Sequence, residues 1–87
     1  MSLDFERRLE LIKERLRAIS MKLLELSPLI NDIIALAPSH EAARKYGWDL
    51  REAIDRLIER IDDLIMDADA EIWVHNVVRS IEKEQRF

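Results

Sequence analysis

From Phe5 onward the chain places an apolar side chain at Phe5, Leu9, Ile12, Leu16, Ile19, Leu23 and Leu26, in alternating steps of four and three. That alternation keeps one stripe of a helix apolar at or near coiled-coil periodicity and leaves the other faces to charged residues. Ser2 stands where an N-cap is wanted, and Asp4 and Glu6 fall in the first turn, where the helix dipole favours acids. Asp4 and Arg8 are spaced as a favourable i,i+4 pair. Ser27-Pro28 interrupts, yet Ile30, Ile33 and Ala37 continue the phase. Proline lacks an N–H and is tolerated in a first turn, so the pattern predicts a kink or restart, with Ser27 as cap and a short helix over 28–37. Ala37-Pro38 ends it, because a residue before proline avoids the α region.

Ser39 is placed to cap a short helix over 40–46, with Glu41 near its start and Arg44-Lys45 near its end. Gly47, the single glycine, falls where a C′ residue of positive φ would stop it. Asp49-Leu50-Arg51-Glu52 has capping-box spacing and predicts a new long helix from Asp49. Its seam reads Leu50, Ile54, Leu57, Ile61, Leu64, Ala68. Continued, that phase brings Glu71 and His75 inward. The apolar residues are instead Val74, Val77, Val78 and Ile81, on a face turned by roughly 130°. A straight helix cannot aim both faces at one core. The pattern therefore predicts a break around Asp67-Ala68-Asp69-Ala70 and a last helix over about 70–84, its end fraying from Glu82. The alternative is a continuous helix whose valine face is covered from outside, most simply by a second copy in a C2 dimer.

These elements make an all-α fold: one domain over 1–87, a small helical bundle of three to four main helices, with Leu16, Ile19, Leu23, Leu57 and Ile61 in its core. Composition narrows the rest. One Gly and two Pro are too few for the turns of a sandwich or barrel, and 48% hydrophobic residues are too many for disorder. The absence of Cys excludes disulfides and thiolate zinc sites. Charged residues recur too often for a membrane span, and the first residues lack a signal-peptide layout, so a soluble cytoplasmic protein without a membrane partner is expected. A net charge of −4 argues against nucleic acid as a partner.

Candidate chemistry is sparse. Asp55, Glu59, Asp63, Asp67, Glu71 and His75 form an i,i+4 column, a ligand-like set in which Asp63, Asp67, Glu71 and His75 are the weak metal candidates. The diiron spacing Glu-x-x-His is not present, and a solvated acidic face accounts for the column as well. His75 has no Ser, Thr or Cys one turn before it to activate as a nucleophile. Ser39, His40 and Glu41 are adjacent and cannot face one another as a triad. Leu50-Arg51-Glu52-Ala53-Ile54-Asp55 resembles the opening helix of chorismate mutases, but Ala68, Asp69 and Glu71 stand where that family needs cations for a dianionic substrate. The Glu-x-x-Glu that all-α nucleotide pyrophosphohydrolases place before Glu-x-x-Asp is absent ahead of Glu52 and Glu59. Arg8, Arg15 and Lys22 recur every seven positions as a charged flank of the first seam. Tyr46, Trp48, Met66, Ile72 and Trp73 are the large residues least explained by the seams, and aromatic residues are favoured at interfaces.

The expectation is a non-enzymatic protein–protein interaction module that presents a helical surface to another chain or to its own copy, with no cofactor. The alternative is a small metal- or ligand-binding bundle using the acidic column and His75. The density of helix formers and well-placed caps is typical of designed scaffolds or binders, whereas Pro28, Met21 and the Ile72-Trp73-Val74 run are not idealised.

Overall fold

A computed structural model describes residues 4–84. The chain is all-α, as its patterning dictates. Helix α1 spans Phe5–Leu24, α2 Ser27–Leu36, α3 His40–Ala43, and a π-helical turn over Arg44–Trp48 leads into α4, Asp49–Glu84. The architecture differs from the expected bundle. Two arms lie side by side as one long hairpin, 74 × 23 × 14 Å. The smallest dimension is little more than one helix diameter, so the arms form a single layer. A compact chain of this length has a radius of gyration of about 12 Å, against 20.4 Å here.

The first arm is α1 followed by α2. Asp4 rather than Ser2 caps α1, accepting from the Arg7 N–H at 2.7 Å; Ser2 lies outside the described residues. At the junction the backbone never leaves the helical region: Leu26 has φ −78° and ψ −13° and accepts from the Ile30 N–H. Pro28 sits in the first turn of α2, where its missing N–H costs nothing. Ser27 is already helical, so the expected Ser27 cap is not formed. Ala37, extended at ψ 129°, ends α2 ahead of Pro38 as expected.

The second arm runs helically from His40 to Glu84. Ser39 does cap it, with its Oγ accepting from the Ala42 N–H at 3.1 Å. The stop at Gly47 and the new start at Asp49 are not there. No residue, glycine included, has positive φ among those described. The Asp49 N–H instead reaches back five residues to the Arg44 carbonyl, which absorbs one extra residue within the helix. Gly47 serves close approach: a Cβ there would overlap Ile34 Cγ1 on the facing arm. The break at Asp67–Ala70 is also absent, and with it the separate helix over 70–84. Ala has the best helix propensity, and no Gly or Pro opposes continuation. The expected fraying from Glu82 is not seen as far as Glu84; residues beyond it lie outside those described.

One register holds along both arms. Ile34 meets Gly47, Asn31 accepts from Arg51, Lys13 pairs with Asp69, and Glu6 lies against His75. Each step down the first arm is matched by one up the second. The stripe of the second arm that turns inward is Ile54, Ile58, Ile61, Ile65, Ala68, Ile72 and His75, all buried or half-buried. Its steps of four and three never slip, so the helix needs no break. His75 belongs to this seam, its ring 4.7 Å from that of Phe5. Among the described residues the buried apolar side chains are only Ile30, Ile61 and Ala68. Of the expected core, Ile61 is buried, Leu16 and Leu23 are half-buried, and Ile19 and Leu57 are exposed at 49% and 46%. A single layer has no second side to cover them.

Candidate interaction surface

A layer has two faces, and they differ. On one, here the front, Leu9, Ile12 and Leu16 of α1 share an open groove with Leu64, Asp67, Ala68 and Glu71 of α4. Toward the chain ends the groove continues over Phe5, Val74 and Val78. In the other direction it passes over Ile19, Leu23 and Leu26 to Leu29 of α2. Helical spacing explains the continuity. Phe5, Ile12, Ile19 and Leu26 are seven apart, as are Leu50, Leu57, Leu64 and Val78 once Glu71 is included in the series. Each set therefore stays on one line of its arm. Most of these side chains are near half exposure, seated on their own helix and open to solvent above.

Charges border the front face. Arg8, Arg15 and Lys22 run along the outer side of α1, and Arg15 and Lys22 line the groove there. On α4 the groove carries Asp67 and Glu71. As a whole, α1 has six Arg and Lys against three Glu, a net of +3, whereas α4 has five against eleven acids, a net of −6.

The back face carries a different set of side chains. Met66 and Trp73, seven apart, are exposed there at 68% and 67%, and Met66 lies beside Met21. Of the other predicted partner residues, Ile72 is turned into the seam between the arms. Tyr46 and Trp48 are exposed in the π-helical turn, where Lys45 lies 5.2 Å from the Tyr46 ring and the Arg51 guanidinium 5.1 Å from the Trp48 ring. The five candidates thus occupy three different places.

The acidic column does not converge. At i,i+4 spacing each step turns by about 40°, so Asp63 to His75 wraps a third of the way round the helix. Asp63 and Asp67 are exposed, Glu71 is in the front groove, and His75 is turned to Phe5 and Glu6, with Nδ1 3.4 Å from Glu6 Oε1. Arg79 approaches the same carboxylate at 3.7 Å. Among the described residues no three His, Asp or Glu side chains gather as a metal set.

One charged residue the sequence did not single out is buried in the seam. Lys13 is 8% exposed and bridges Asp69 on α4 and Glu10 on its own helix, the latter at 3.4 Å. The hydrogen bond to Asp69, then its charge, with Glu10 adding, holds the ammonium above its ordinary pKa against the opposing effect of burial. A lysine at a seam position, one turn from Leu9 and Leu16, was the available signal. No helix among the described residues is long and apolar enough to cross a membrane. Comparison with known protein families, curated proteins and solved structures finds no match for this chain.

Proposed function

We propose that the protein is a non-enzymatic interaction module whose working surface is the front face of the hairpin. The observation that carries this reading is the imbalance between the two places where its apolar side chains go. Among the described residues three are buried inside the chain, while a continuous strip along the length of the rod is left near half exposure. Full burial of one large aliphatic side chain is worth about 1.5–3 kcal/mol. Covering the remaining half of about ten of them is worth on the order of 10 kcal/mol, comparable to the whole stability of a domain this size. Surfaces of this extent on soluble chains mark protein contact sites. The candidate ligand and acid–base groups meanwhile form no cluster of three among the described residues, which favours binding over chemistry.

The test compares two doubly substituted chains. Ile19→Glu with Leu57→Glu charges the front, and Met66→Glu with Trp73→Glu charges the back. Association is followed by light scattering and apolar exposure by fluorescence of an anilinonaphthalene sulfonate dye, with helix content checked by circular dichroism. The front variant should lose association, or dye binding where no association occurs, and the back variant should keep both. A front variant that matches the parent chain in both measurements would refute the reading.

A further inference from the structure

We infer that the front face is covered by a second copy of this chain, the two hairpins packing face to face about a two-fold axis that runs along the rod, so that α1 of each copy lies on α4 of the other. The inference rests on the reading above and adds the occupant and its orientation.

Surface area sets the scale. A compact protein of 10.3 kDa exposes about 5,400 Å², and this chain exposes 7221 Å². The surplus exceeds the roughly 800 Å² per partner that a stable interface removes. Shape selects a copy. The open strip runs the length of the hairpin, with side chains repeating every seven residues, and a second hairpin offers the same length and repeat without any further requirement.

Charge selects the orientation. Two hairpins can meet face to face about an axis along the rod or one across it. Across the rod, α1 meets α1 in opposite directions, which opposes two helices that each carry a net +3. Along the rod, basic α1 meets acidic α4, and the pairing repeats the register that already joins the arms within one chain. Lys13 is opposite Asp69 in that register, so Arg15 is level with Asp67 of the partner subunit, and Arg8 is level with Val74 of the partner subunit, one turn from Glu71 of the partner subunit. Both acids lie in the front groove, where such contacts are within reach of long arginine side chains.

Because the protein has no cysteine, single-cysteine variants report contacts cleanly. Ile19→Cys and Leu64→Cys both lie near mid-length of the rod. Light scattering should give twice the chain mass, and oxidation of an equimolar mixture of the two variants should give a mixed cross-linked dimer, with neither variant linking to itself. Arg15→Glu should weaken the dimer by about fivefold, and adding Asp67→Arg in the same chain should restore most of the loss. A dimer in which Ile19→Cys links to itself overturns the orientation. A monomer at high concentration that still binds dye through the front face overturns the second copy and leaves the interaction reading standing. A monomer that binds no dye there overturns both.

Discussion

Gly47→Ala sets two effects of similar size against each other, and the structure decides which wins. Within a helix, Ala is favoured over Gly by about 1 kcal/mol. Gly47 has no positive φ, so alanine meets no backbone strain there and the substitution would stabilise a free helix. The facing arm prevents this. A Cβ on Gly47 would overlap Ile34 Cγ1 and lie 3.3 Å from Cδ1 and 3.7 Å from Cβ. Rotating the terminal Cδ1 leaves the overlap in place, because Cγ1 moves only with the Ile34 backbone or a change of rotamer. Overpacking of this kind costs about 1–3 kcal/mol. The net expectation is a loss of about 1 kcal/mol, which lowers the melting temperature of a domain this size by about 4–8 °C. Ile34→Ala removes the obstruction, so Gly47→Ala in that background should stabilise instead. Urea denaturation of the four chains, followed by far-UV circular dichroism at one fixed concentration, measures both signs. If Gly47→Ala stabilises by about 1 kcal/mol with Ile34 present, the arms do not meet there and the hairpin register is wrong.

Three further expectations follow from the seam and its surroundings. Ile61→Ala should cost about 2–5 kcal/mol from lost transfer energy and an unfilled cavity, and a loss under about 0.5 kcal/mol would place Ile61 elsewhere. The folded-state pKa of Lys13 is raised, so its contribution is fully present below the ordinary lysine value of about 10.4 and is lost as pH rises through the folded value. Stability should therefore fall above about pH 10 more steeply in the parent chain than in Lys13→Met, and parallel alkaline profiles would count against the buried pair. Because the acidic column does not converge, millimolar zinc, manganese or calcium should leave the melting temperature unchanged; a rise of many degrees, abolished by His75→Ala with Asp67→Ala, would show a site.

The helical class was legible, and so were the first helix and its restart at Pro28, but not the phase of the first arm: Phe5, Ile12, Ile19 and Leu26 are open to solvent, and the inward line runs through Leu9, Lys13, Leu16 and Leu23. The second arm was ambiguous for a physical reason. It carries two stripes of period seven, Leu50, Leu57, Leu64 and Ile58, Ile65, Ile72, flanking a shared line of Ile54, Ile61 and Ala68. Hydrophobicity cannot say which stripe meets the facing arm. Choosing the leucines puts Glu71 inside and calls for a break; choosing the isoleucines keeps the seam apolar to Ile72 and gives His75 an aromatic neighbour. Gly47 was ambiguous in the same way, since the one residue that ends helices is also the one that lets two helices touch. The front face was misassigned to a core because a layer one helix thick was not among the architectures the pattern suggested.

The single register also prescribes an order of closure. Contacts between the arms span ever longer stretches of chain from the tip outward, from Ile34 with Gly47, through Asn31 with Arg51 and Lys13 with Asp69, to Glu6 with His75. The innermost contact closes the shortest loop, and each one formed brings the next pair within reach, so the cost of closure is met in small increments. The hairpin closes as a zip closes, beginning at the π-helical turn. It opens in reverse, with Phe5 and His75 parting first and at least cost. A lesion at those ends is therefore a local matter, whereas one at Gly47 or Ile34 delays every contact beyond it.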